Sequence, residues 1–194
     1  VANPLDRFIP TPDARERFHV RVHAPAALVF DVSARFDLQS IVLVRAIFRL
    51  RSLLLGATAA PTWPSDGFFS DVRRLGWGIL REDPGRLFIA GARCQPWLPD
   101  VAFTPLSATD FRPCTAPGQV KIAWTLEVEP LGEVSSRLIT ETRAVATDAD
   151  ARRRFLRYWR WARIGIHAIR WLVLPSIRRK AEARWREDGG GNRA

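Results

Sequence analysis

The chain has 194 residues, 47% of them apolar, and a formal charge of +10, a balance that suits one domain with a sizeable core. Two cysteines, Cys94 and Cys114, and three histidines exclude a disulfide framework and a structural zinc site built on paired cysteines. The charge is uneven: residues 148–194 hold 13 basic and 5 acidic side chains, against 17 and 15 over residues 1–147, so most of the excess lies on the C-terminal segment, nearly all as arginine.

Pro4, Pro10 and Pro12 make residues 1–15 an irregular lead-in. No apolar signal segment is visible there, so the expected location is the cytoplasm, with both thiols reduced. Residues 17–23 alternate apolar and polar with period two and predict a half-buried strand. Pro25 suits the first turn of a short helix over 26–36. A second helix over 39–54 is apolar around most of its circumference, except for a stripe of Arg45, Arg49 and Ser52. It is too short to span a bilayer. Residues 65–74 predict one or two helical turns capped by Ser65 or Asp66. Strands over 77–82 and 86–94 flank Asp83-Pro84-Gly85-Arg86, whose central residues fit a type II turn. The Pro-broken stretch 95–117 reads as loops with an edge strand near 101–106.

Residues 119–129 alternate without error, with Val120, Ile122, Trp124, Leu126 and Val128 on the inner face and Lys121, Ala123, Thr125, Glu127 and Glu129 facing solvent. A tight turn at Leu131-Gly132 sets the partner strand, 136–147, with Arg137 opposite Glu127 and Thr140 opposite Trp124. Leu138, Thr140, Thr142 and Ala144 then face inward. Asp148 or Asp150 caps a last helix whose inward stripe is Phe155, Trp159, Ala162, Ile166, Ile169 and Val173. Straight from 148 to 186 it measures about 58 Å, longer than a domain of roughly 40 Å, so a bend or break is expected between Gly165 and Pro175. The division expected is a lead-in over 1–15, one domain over 16–187 and a disordered tail over 188–194.

This order of elements resembles the START-like superfamily, also called the helix-grip fold or the polyketide cyclase and lipid-transport group. The likeness rests on residues 17–32, where the first strand runs through Ala24-Pro25 into a helix, and on Lys121-Ile122-Ala123-Trp124, Thr140-Glu141-Thr142-Arg143 and Arg153-Arg154-Phe155-Leu156-Arg157-Tyr158-Trp159. The resemblance implies an α+β fold in which a curved antiparallel sheet, seven-stranded in the family, wraps a long C-terminal helix, with two short helices after the first strand. It also implies a pocket between sheet and helix, and no particular reaction.

Trp77, Trp97, Trp124 and Trp159, with Thr140 and Ile166, are the candidate cavity-lining residues for an apolar or amphipathic small molecule such as a lipid or polyketide. Ordinary core packing competes for each tryptophan. Glu141 points outward on the strand, as a surface partner of Arg143 or Lys121 rather than a general base. His19 and His23 lie about 13 Å apart on one strand face, beyond sharing a metal, and His167 reads as solvent-facing. No motif calls for a cofactor or metal, and none supports the cyclase or dehydratase alternative. On a helical wheel Arg153, Arg157 and Arg160 point away from the sheet beside Trp161, with Ile164 and Trp171. Arg and Trp interleaved in this way suit peripheral contact with an anionic membrane or another acidic partner; nucleic acid is the less favoured partner.

Overall fold

A computed structural model describes residues 3–37 and 67–189. The chain enters through a 3-10 turn at Pro4–Arg7 and forms strand β1 at Ala14–Val22. Helix α1 follows at Ala26–Ala34, then α2 at Phe68–Arg74, β2 at Gly78–Asp83, β3 at Leu87–Cys94 and β4 at Thr104–Pro105. Helix α3 at Ala108–Phe111 precedes the long hairpin of β5, Val120–Gly132, and β6, Ser135–Ala146; helix α4 closes the fold at Ala149–Glu187. The expected helix over 39–54 and the caps Ser65 and Asp66 lie outside the described residues. Gly67 stands at the start of α2, with no side-chain cap.

Among the described residues six strands form one antiparallel sheet, ordered β1-β6-β5-β3-β2, with β4 on β3. With α4 against its concave face, this is a helix-grip arrangement. The β2–β3 turn forms as expected: Gly85 has φ 76° and the Arg86 amide donates to the Asp83 carbonyl at 3.1 Å.

The β5–β6 register differs from expectation by two residues. Arg137 pairs with Glu129, and Trp124 with Thr142, because the strands continue to Gly132 and Ser135 and the chain turns farther out, past an irregularity at Pro130. A shift of two leaves every side chain on its face, so the alternation survives the error. The outward face is not solvated along its length. Leu5, Phe8 and Ile9 of the lead-in, with Phe111 of α3, cover Ala123, Ile89, Leu80 and Leu87. Gly91 sits on this face where Phe111 and Leu80 leave no room for a Cβ. The edge strand expected over 101–106 shrinks to two residues, while Ser107 accepts from the Asp110 amide and starts the unforeseen α3.

Helix α4 starts as predicted, with Asp148 accepting from the Ala151 amide. Of the bend or break expected between Gly165 and Pro175, no break occurs: the helix runs 39 residues without interruption through both. Packing at both ends holds it. Phe155 is buried against Ala14, Val120 and Ala144, and Val173, Leu174, Ile177 and Ala181 are buried with α1, α2 and the inner sheet face. Burial of that surface outweighs the one backbone hydrogen bond that a proline removes.

Candidate functional site

Between those two packed ends no residue of α4 from 156 to 172 is buried; all are half-buried or exposed. Under this middle stretch the sheet presents one polar row. Glu16 on β1 is paired with Thr142 on β6, Thr142 with Trp124 on β5, and Trp124 with Ala90 on β3. Strand alternation aims all four at the helix, and the neighbouring row adds Phe18, Thr140, Leu126 and Phe88.

Two α4 side chains, one turn apart, meet this row. His167 Nε2 lies 2.8 Å from Glu16 Oε2, with its ring edge-on to Phe18 at 5.0 Å between centroids. His167, expected to face solvent, keeps 39% of its side chain exposed, but the helix leans on β1 and brings the ring to a carboxylate that the sequence reading did not foresee. Arg170 Nη2 donates to Thr142 Oγ1 at 3.3 Å, and no carboxylate of the described residues lies within ion-pair distance. Burial pushes the Arg170 pKa down to about 10, which leaves it charged at neutral pH. The Thr140 hydroxyl is buried and finds no hydrogen-bond partner. The Arg170 guanidinium and the two threonine hydroxyls offer donors here, which favours an oxyanion.

The candidate lining residues fall into two groups. Trp124 and Trp77 stand 6.2 Å apart at the inner cluster, with Phe68 5.2 Å and Phe88 5.6 Å from Trp124, and Trp77 stacked on Phe103. Thr140 belongs beside them on the sheet. Trp97 and Trp159 pack instead at the other end, around Phe155. Ile166 is half-buried in the middle of α4. A separate groove of about 280 Å³, lined by Arg17, His19, Arg137 and Ile139, opens on the opposite face of the sheet.

Sequence reasoning passed over Glu16 and Arg170. Starting the strand at residue 17 left out Glu16, which shares the phase of Phe18, Val20 and Val22. Arg170 sits close to the inward stripe of the wheel, next to Ile169, and a cation there was the available signal.

Glu141 also departs from expectation. It is 2% exposed, not at the surface, and Arg143 is 3% exposed. Arg143 Nε donates to Glu141 Oε1 at 2.7 Å and its Nη1 to Asp6 Oδ1 and the Ile9 carbonyl, each at 2.7 Å; Asn3 Nδ2 donates to Glu141 Oε2 at 2.8 Å. Burial raises the Glu141 pKa, but the hydrogen bonds from Arg143, Asn3 and Arg15 outweigh it and hold the carboxyl below its usual value. Lys121, the other expected partner, donates instead to the Phe111 and Arg112 carbonyls.

On the outer face of α4, Arg153, Arg157 and Arg160 are exposed, as are Trp161 at 69%, Ile164 at 62% and Trp171 at 72%. The Arg160 guanidinium lies 5.9 Å from the Trp161 ring centroid, and Arg153 pairs with Asp150.

No family model matches the chain, and no curated protein matches it. Among solved structures it is similar to the Zhui aromatase/cyclase from Streptomyces sp., at 14% identity over 88% of this chain and 94% of that one, with a TM-score of 0.32. A likeness of that size transfers no residue roles, and the fold class stands on the sheet and helix themselves.

Proposed function

We propose that the protein binds an apolar or amphipathic small molecule between the middle of α4 and the inner face of the sheet. The observation that carries this reading is the unburied stretch 156–172 of α4, held between two packed ends, over two sheet rows that set Trp124 and Phe18 beside the partnerless Thr140 hydroxyl. Well-packed cores keep few such groups without a compensating partner. Native mass spectrometry of protein purified from its own host tests the reading. A retained mass that leaves on mild organic extraction is the expected result, and bare protein that also takes up no apolar probe refutes it.

A second reading concerns the outer face of α4, where two tryptophans and an isoleucine stand exposed among arginines. Single exposed apolar residues are ordinary, but three on one basic helix face fit the headgroup region of an anionic bilayer. No helix among the described residues is long and apolar enough to cross a membrane. Vesicles with about one-third phosphatidylglycerol are expected to bind the protein at low salt and release it as the Debye length falls below about 8 Å. Binding to single-stranded nucleic acid alone would assign the face to that partner instead.

A further inference from the structure

The small-molecule reading leaves open what end of the ligand meets the polar row. We infer that Arg170, Thr142 and Thr140 form a subsite for the carboxylate of an otherwise apolar ligand; the inference rests on that reading and names the ligand class.

Arg170 and Thr142 meet, and Thr140 stands one alternation away on the same sheet face. The Arg170 guanidinium carries five N–H groups and, among the described residues, spends one, on Thr142 Oγ1 at 3.3 Å. Because Thr142 Oγ1 accepts that bond, its own proton is left to donate elsewhere. The Thr140 hydroxyl, on the same face one alternation away and so about 7 Å along the strand, is buried with no partner. No described carboxylate pairs with Arg170, and residues 38–66 contain a single acidic residue, Asp66. A half-buried guanidinium with N–H groups to spare is a good fork for two carboxylate oxygens.

The neighbours set the ligand's direction and charge. Glu16 stands on the β1 side, occupied by His167, and repels a second anion there. Trp124 is paired with Thr142 in the same row, and Phe18, Ile166 and Ile169 are half-buried, so apolar surface lies beside the polar groups. The head is thus held at β6, away from Glu16 on β1. One cation with two hydroxyls matches a monoanion better than a phosphate dianion.

The test titrates the protein with palmitate and with hexadecanol, which shares the chain but lacks the charge, reading displacement of Nile red. Wild type is expected to prefer palmitate by about tenfold or more, and Arg170→Met is expected to remove the preference while hexadecanol affinity stays within about threefold. Thr140→Val, which keeps shape and folding, is expected to lower palmitate affinity several-fold and leave hexadecanol unchanged. Equal binding of the two probes by wild type, or a preference that survives Arg170→Met, overturns the subsite and leaves the small-molecule reading standing. If neither probe displaces Nile red, or Nile red itself does not bind, the small-molecule reading falls and the subsite with it.

Discussion

Arg143, 3% exposed, and Arg170, half-buried, both stand against strand β6, on opposite faces of the sheet and at adjacent positions, since Arg170 bonds Thr142. Arg143 is answered by Glu141, Asp6 and the Ile9 carbonyl. Arg170 is answered by one hydroxyl. The first arrangement neutralises its charge and ties the lead-in across the outer face, so it belongs to the architecture. The second draws less from the described residues, and it is the group that the proposed subsite uses.

The sharpest way to break this comparison is to remove Arg143. Arg143→Met leaves Glu141 buried without its main partner, and a loss of about 3 to 5 kcal/mol is expected in urea unfolding. A loss under about 1 kcal/mol would mean that Arg15 and Asn3 suffice for Glu141. Trp124→Ala is expected to lose about 3 kcal/mol or somewhat more, since the ring is 7% exposed and touches Phe68, Trp77 and Phe88. A near-neutral result would move Trp124 out of the core.

Acid sharpens the contrast further. Glu141 and Asp6 both titrate below their usual values of 4.5 and 3.8. In that window the unfolded chain binds more protons than the folded one, so the stability they contribute is present above those usual values and is lost as pH falls through the lowered ones. Wild type is expected to lose stability steeply below about pH 4.5, and Arg143→Met to show a shallower slope there.

Arg170→Met is expected to behave in the opposite way from Arg143→Met. Removing a half-buried cation that has no ion pair among the described residues should leave stability unchanged or raise it by about 1 kcal/mol, measured by the same unfolding curves. A loss of 2 kcal/mol or more would make Arg170 a structural residue and dissolve the comparison. The smallest effect belongs to Arg157→Glu with Arg160→Glu: neither makes an ion pair among the described residues, so stability should stay within about 0.5 kcal/mol while binding to anionic vesicles is lost.

Local pattern carried a large share of this fold. Periodicity of two placed β1, β5 and β6 and their inner faces, Pro84-Gly85 placed a hairpin, and Asp148 with the Phe155 stripe placed α4 and its exposed arginines. These are properties of a chain with its neighbours a few residues away, and they survive even a register error of two.

What the tertiary structure alone decided concerns contacts across long separations. Period-two alternation says that Glu141 and Arg143 face outward, but not that the lead-in, more than 130 residues earlier in the chain, lies over them with Asn3, Asp6 and the Ile9 carbonyl. As a lone helix residue His167 reads as solvent-facing, yet the lean of α4 on β1 brings it to Glu16. Arg170 could be placed near the inward stripe from sequence, but whether a carboxylate meets it depends on which strand lies beneath that turn. Periodicity fixes the direction of a side chain within its own element; the distance to a partner on another element is set only when the sheet and helix pack, because that packing is a sum over the whole core rather than a local preference.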